Sequence, residues 1–313
     1  MVSGGSDENS FMKGFRSNAF VAGPTESARA SLVLLIVALL SGCLTSGGGD
    51  SEDPVVVENP MVFVKRPLLF EEDNGMLIGD NIAEPAAFRP GGRLFLKNQA
   101  SPSSPARDIS SRAFSGDAFL NDDGQLLYDV KDLNASFDGT RLVFAMRAPE
   151  IEDADEEDQP TWNIWEYNLT EDRLTRIISS DVIAEAGQDI TPAYLPDGRI
   201  VFSSTRQRVS RAILLDEGKP QFAALEEERD VHAFVLHVMD TDSETIQQIT
   251  FNQSHDLFPL VQNDGRILFS RWDNAGQTGN NGFNLYRVNP DGTGLSYVFG
   301  RHSHDSLGAG TTI

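Results

Sequence analysis

The chemically capable side chains in this 313-residue sequence are few: five histidines, one cysteine and a recurring set of acids. His302, His304 and Asp305 lie close together, and His255 adjoins Asp256. Imidazole and carboxylate groups can hold a transition metal, so His255 and His304 are candidate metal ligands if folding brings their loops together. Hydrogen bonding to nearby backbone is the simpler use of both. His232 and His237 flank or alternate within an apolar run, which predicts the solvent side of a strand. Asp132, Asp189 and Asp256 each precede an Asp-Gly pair, seven residues before the glycine in the first case and nine in the other two. Acids so placed lock turns by accepting backbone N–H bonds. Trp162, Trp165 and Trp272 are packing aromatics, or stacking surfaces if one faces a channel. The sequence holds no Gly-x-Ser-x-Gly elbow, no His-Glu-x-x-His and no glycine-rich phosphate loop, so no catalytic residue is assigned and enzymatic activity is left open.

The single cysteine carries a different chemistry. Cys43 follows Ser31–Leu40 (SLVLLIVALL), about ten apolar positions where a membrane-spanning helix needs about 20. Lys13, Arg16 and Arg29 precede this run, as expected of a secretory signal. Leu40-Ser41-Gly42-Cys43 resembles the bacterial lipobox, which implies that residues 1–42 are a signal peptide and that the Cys43 thiol carries the lipid. Residues 43–60 then form a flexible tether rich in glycine, serine and acids. By random-coil scaling it would hold the folded part about 20 Å from the membrane. Leu44, rather than an aspartate, follows the cysteine and favours the outer membrane in a Gram-negative envelope. The expected location is therefore a lipid-anchored position facing the periplasm or the cell surface.

Charge narrows the partners. The formal net charge is −22, and residues 1–42 contain three acids and three bases, so the whole excess falls after the signal. Phosphate backbones need clustered Lys and Arg, so nucleic acid is not an expected partner. Anionic lipid would also repel the chain, leaving the lipid on Cys43 to hold it at the membrane. With one cysteine there is no disulfide, no thiolate zinc cluster and no Cys-x-x-Cys-His for covalent haem. No cofactor is expected on these residues.

Behind these residues stands a repeat. Asp138-Gly139, Asp197-Gly198 and Asp264-Gly265 each precede a basic residue and an apolar run containing Phe: RLVFAM, RIVFSS and RILFSR. Asp-Gly supplies the positive φ that tight hairpins require, and the run after it reads as a buried strand. A second strand pair follows each: 162–167 with 174–178, 233–238 with 246–250, and 283–288 with 295–299. Four-stranded units in tandem predict an all-β fold, a β-propeller, over 61–313. Three units are clear, at about 130–180, 188–251 and 255–300, and an incomplete one begins near Phe88–Phe95. Propellers close with about four to eight blades, so the sequence reads as the N-terminal fragment of a longer chain. Residues 150–158 contain seven acids in nine positions and read as a solvated loop. Residues 222–229 read as a short surface helix.

Two stretches, Pro196–Arg206 (PDGRIVFSSTR) and Asn289–Gly294 (NPDGTG), resemble the TolB-like, WD-repeat-type propellers of the bacterial envelope. A closer likeness is to lipoproteins related to the middle domain of the hydrazine synthase alpha subunit. It is carried by Pro160–Tyr167 (PTWNIWEY), Tyr194–Gln207 (YLPDGRIVFSSTRQ), Phe251–Asp256 (FNQSHD) and Ser270–Asn274 (SRWDN). The likeness covers roughly Met61 to His304. It implies either a lipid-anchored propeller that binds a protein partner, or the propeller module of a larger haem-dependent redox lipoprotein. Because the haem-binding motifs of that family are missing here, no haem role passes to any residue of this chain.

Overall fold

Alternation sets the first strands and continuous apolar runs the later ones. In the computed structural model, the residues described are 59–67, 84–114, 119–120, 124, 127–155, 158–206, 232–273 and 282–300, all within one unit spanning Val55–Ile313. Cys43, His304, the signal segment and the 222–229 stretch lie outside them. Among the described residues no helix is long and apolar enough to cross a membrane.

Four antiparallel sheets follow one another along the chain. The first contains β1 (Met61–Lys65), β2 (Arg93–Lys97) and β3 (Arg107–Asp108). The second runs β4 (Asp129–Ala135), β5 (Arg141–Arg147), β6 (Trp162–Asn168) and β7 (Arg173–Arg176). The third runs β8 (Asp189–Tyr194), β9 (Ile200–Ser204), β10 (Val235–Met239) and β11 (Ile246–Gln248), preceded by one helical turn, α1 (Asp181–Ala184). The fourth runs β12 (Asp256–Val261), β13 (Ile267–Asp273), β14 (Gly282–Val288) and β15 (Ser296–Phe299). In the last three sheets each strand pairs with its neighbour in sequence.

The Asp-Gly pairs close the first hairpin of these three sheets. Gly139, Gly198 and Gly265 have φ of 69°, 90° and 81°, and each N–H bonds back to the carbonyl three residues earlier. This is a tight turn followed by a left-handed residue, where glycine carries no Cβ penalty. The aspartate fixes the turn from within: Asp138 Oδ1 accepts from Ser136 Oγ at 2.6 Å and Thr140 N–H at 3.0 Å. Asp197 and Asp264 instead accept the Arg199 and Arg266 N–H groups, both at 3.1 Å.

The core lies between sheets. Leu142, Phe144, Met146 and Tyr167 pack on Leu94 and Leu96 of the first sheet. Ile200, Phe202 and Met239 pack on Val143 and Ile164 of the second. Ile267, Phe269 and Val288 pack on Val201, Leu236 and Val238 of the third. Strands covered on both faces lose the polar alternation of half-exposed ones, which is why β8, β9 and β10 are buried along their whole length.

Two features differ from the sequence expectation. Met61–Lys65 carries no turn signal, yet it pairs with β2 across a long excursion, from Met61 opposite Lys97 to Lys65 opposite Arg93. His237 is 2% exposed rather than on a solvent side. Its strand is covered on both faces, so strand alternation does not select an exposed one there.

Candidate functional site

The inner strands β4, β8 and β12 begin at the end of the sheets opposite the Asp-Gly turns, and each begins with a buried aspartate. Asp129, Asp189 and Asp256 are all 0% exposed. Asp129 receives Arg66 Nε at 3.0 Å and Nη2 at 2.7 Å, with the Arg89 N–H at 2.7 Å. Asp189 receives Arg206 Nε at 3.0 Å, a second close contact from Arg206 Nη2, and Ser204 Oγ at 2.6 Å. Asp256 receives Arg271 Nε and Nη2, both at 2.8 Å. Each is a two-point guanidinium–carboxylate fork. Burial pushes all three carboxyl groups above their usual range, and the paired arginine pulls each back.

Asp132 does something else. Bulges interrupt the pairing of β4, β8 and β12 at matching places, and Asp132, Thr191 and Phe258 there have φ of 58°, 51° and 55°. Asp132 Oδ2 accepts the Thr191 N–H of the next sheet at 3.0 Å. It therefore accepts a backbone bond, as its type suggests, but ties two sheets together instead of locking its own turn. Asp129 occupies the ion-paired role in the second sheet, ten residues before its glycine where Asp189 and Asp256 stand nine before theirs; the sequence expectation falls instead on Asp132, at seven. Nor does it fall on the three arginines. The forks of Asp189 and Asp256 have a signal in hindsight: an arginine within two residues of the end of the following strand.

His255 is fully buried. Its Nδ1 accepts the Phe234 N–H at 3.1 Å, and its ring lies 5.7 Å from both Phe234 and Trp272. That bond uses the lone pair on Nδ1, the one a neutral imidazole in this tautomer would offer a metal. Its suggested companion, His304, lies outside the described residues, among which no three His, Cys, Asp or Glu side chains gather as a metal site. His232 is exposed. His237 donates from Nδ1 to the Val235 carbonyl at 3.0 Å and stacks on Phe202, and burial lowers its pKa to about 3.

The tryptophans pack. Trp162 is fully buried, donates Nε1 to the Ala86 carbonyl at 2.7 Å, and carries Lys131 Nζ 4.5 Å from its ring centre. Trp165 meets Phe114 edge-on, and Trp272 lies against Phe283. Trp162, Ala145, Ile190, Phe234 and Leu257 form one cluster drawing on the last three sheets.

No family model matches this sequence, and no curated protein matches it either. Solved structures do match in shape. Kuenenia stuttgartiensis hydrazine synthase superposes with a TM-score of 0.51 at 16% identity, over 79% of this chain and 32% of that one. The fold is a β-propeller. This propeller spans about a third of the hydrazine synthase chain. Lower-scoring matches include a TolB from Agrobacterium tumefaciens, with a TM-score of 0.41 at 15% identity over 66% of this chain and 56% of that one. Another is the β-propeller domain of the Trilobed protease from Pyrococcus furiosus, with a TM-score of 0.36 at 12% identity over 68% and 49%. In the propeller the buried acids are neutralised by arginines and the tryptophans are buried or packed on other rings. Among the described residues, the chemistry at this end is ion pairing and aromatic packing.

Proposed function

We propose that this propeller is a lipid-anchored module of the bacterial envelope that presents its loops to a protein partner. The observation that carries the reading is the Leu40-Ser41-Gly42-Cys43 sequence behind a short apolar run, followed by a polar tether and then by strand β1, which begins at Met61. A frame of packed sheets with loops of unequal length suits recognition, because loops vary without disturbing the core. The acidic 150–158 loop is one such surface. Gln159 braces its start, accepting the Ile151 N–H at 2.9 Å and donating to the Ala154 carbonyl at 3.0 Å. A basic protein surface is the complementary partner. The test is metabolic labelling with radioactive palmitate, followed by membrane fractionation. Label and membrane retention lost together in Cys43→Ser support the anchor, and label unchanged in that variant removes it. Loss of partner capture on deleting 150–158 supports the loop assignment.

A second reading is favoured by the likeness to hydrazine synthase: the propeller as one module of a larger haem-dependent redox lipoprotein, with the catalytic part outside these residues. Reading the gene past Ile313 tests it. A downstream Cys-x-x-Cys-His supports this reading, and an open frame without that motif sinks it.

A further inference from the structure

Each of the four sheets carries one pair of rings across neighbouring strands: Phe63 opposite Phe95, Phe144 opposite Trp165, Phe202 opposite His237 and Phe269 opposite Tyr286. In the last three sheets the phenylalanine belongs to the second strand and its partner to the third. Packing agrees with this. Val143 and Val201, one residue before Phe144 and Phe202, lie in the seam with the following sheet, and Val62 does the same before Phe63. By both measures β1, β2 and β3 are the second, third and fourth strands of their sheet. The first place, held in the other sheets by β4, β8 and β12, has no occupant among the described residues.

This leaves one edge of β1 with an open ladder. The Leu94 carbonyl accepts the Ile109 N–H at 2.9 Å, so the Leu94 backbone points towards β3 and that of Phe95 towards β1. Backbone groups alternate sides along a strand. The N–H and C=O of Phe63 therefore meet β2, and those of Val62 and Val64 point to the first place. Both valines are half-buried, where backbone polar groups need partners.

The sequence just upstream repeats the first hairpin of the other sheets. Gly198 and Gly265 stand four residues before Phe202 and Phe269, each after an aspartate. Asn59 stands four residues before Phe63, after Glu58. Asparagine enters tight turns and the left-handed region more readily than other residues with a Cβ. Those two turns are closed by Leu195 N–H on the Arg199 carbonyl at 2.7 Å and Gln262 N–H on the Arg266 carbonyl at 2.8 Å. Pro60 stands where these arginines do, and proline lacks the donor but keeps the carbonyl. Asp50 precedes Phe63 by thirteen residues, the interval from Asp189 to Phe202 and from Asp256 to Phe269. Val55–Val57 are β-branched, as strands favour, after a run of glycine, serine and acids. Pro54 before them is compatible with a sheet edge, and β8 and β12 also contain a proline, Pro192 and Pro259.

We propose that the chain's own residues before β1 supply the missing first strand. It ends at Val55, opposite Met61, as Tyr194 is opposite Ile200 and Val261 opposite Ile267. Val56–Pro60 is its turn, closed by the Val56 N–H on the Pro60 carbonyl. The flexible tether then stops short of Val55, and the segment leading back to Cys43 is fastened to the first sheet as a strand. The inner edge of β1 is closed to a partner's strand, which leaves recognition to the loops.

The test uses the full chain carrying Cys43→Ser, in a non-ionic detergent. In this register Val55 and Met61 form a close non-hydrogen-bonded pair, suited to a disulfide, whereas Val56 faces the other way. In a glutathione redox buffer, Val55→Cys with Met61→Cys should show an effective thiol concentration about tenfold or more above that of Val56→Cys with Met61→Cys. A flexible tether closes two rings of nearly equal size alike, so equal values overturn the proposal. Amide hydrogen exchange is a second arm that needs no introduced cysteine. The Val62 and Val64 amides should be protected, and Val56→Pro, which removes the closing donor, should speed their exchange about tenfold or more. Rapid exchange in the parent chain means an open edge and overturns the proposal. Protection that survives Val56→Pro means that a different strand covers β1, and overturns it too. Neither arm uses the lipid, so the anchor and the strand stand or fall separately.

Discussion

Asp132 and Thr191 sit at matching left-handed bulges of neighbouring inner strands and are joined by a bond from the Thr191 N–H to Asp132 Oδ2 at 3.0 Å. A threonine with φ of 51° is unusual, because a β-branched side chain crowds that conformation. The acceptor on Asp132 helps to hold it there, so two strained residues stabilise one sheet contact.

Replacing Asp132 separates the two roles. Asp132→Ala removes the acceptor and retains a Cβ at positive φ, so it should cost about 1–3 kcal/mol. Asp132→Asn keeps an acceptor and tolerates the left-handed region, so it should cost clearly less. Urea midpoints of the two variants decide this. Equal losses would mean that the bond contributes little.

The Asp189–Arg206 fork is the most enclosed of the three, with side chains 0% and 3% exposed. Removing the carboxylate alone strands a buried guanidinium, so Asp189→Ala should cost about 3–5 kcal/mol. The double change Asp189→Leu with Arg206→Met should recover a large part of that loss. If the double variant is as unstable as the single one, the fork sets the geometry of this end of the propeller and does more than neutralise itself.

Gly187 adjoins the same fork. A Cβ built there would lie 2.8 Å from the Arg206 backbone nitrogen and 3.0 Å from its Cβ. Backbone cannot swing aside as a long side chain can, so Gly187→Ala should cost about 2 kcal/mol or more. Gly139 has open space around it, and Gly139→Ala should cost only the positive-φ penalty of about 1 kcal/mol. Thermal midpoints should rank the two in that order.

The repeat was legible because the Asp-Gly turns and Phe-bearing strands are local signals, readable within a dozen residues. What escaped was non-local. Met61–Lys65 pairs across residues 66–92 with no turn to announce it, and Arg66 reaches Asp129 from 63 positions away. Asp132 belongs to the acid series by spacing alone: in the fold it is the bulge residue, equivalent to Thr191 and Phe258, and the ion-pair role falls to Asp129 at the start of the strand. His237 was misplaced because alternation assumes a strand wet on one side, and β10 is dry on both.

His237 gives the propeller a pH dependence with a definite sign. Burial disfavours the charged ring, the nearby Arg206 adds to this, and the bond to the Val235 carbonyl opposes it. The folded pKa falls to about 3, against 6.5 for the free side chain. Between those values the unfolded chain binds more protons than the folded one, so stability rises with pH across that window. The contribution is complete above about pH 6.5 and is lost as pH falls towards 3, at up to about 1.4 kcal/mol per unit. Between pH 7.5 and 5.0 the wild-type chain should therefore lose on the order of 2 kcal/mol through this residue alone. His237→Gln has no proton to take up and should lose less over the same interval, whatever it costs at neutral pH. The carboxylates titrate alike in both proteins, so the difference between their two pH slopes isolates His237. Parallel slopes would mean that the ring is accessible to protons in the folded state.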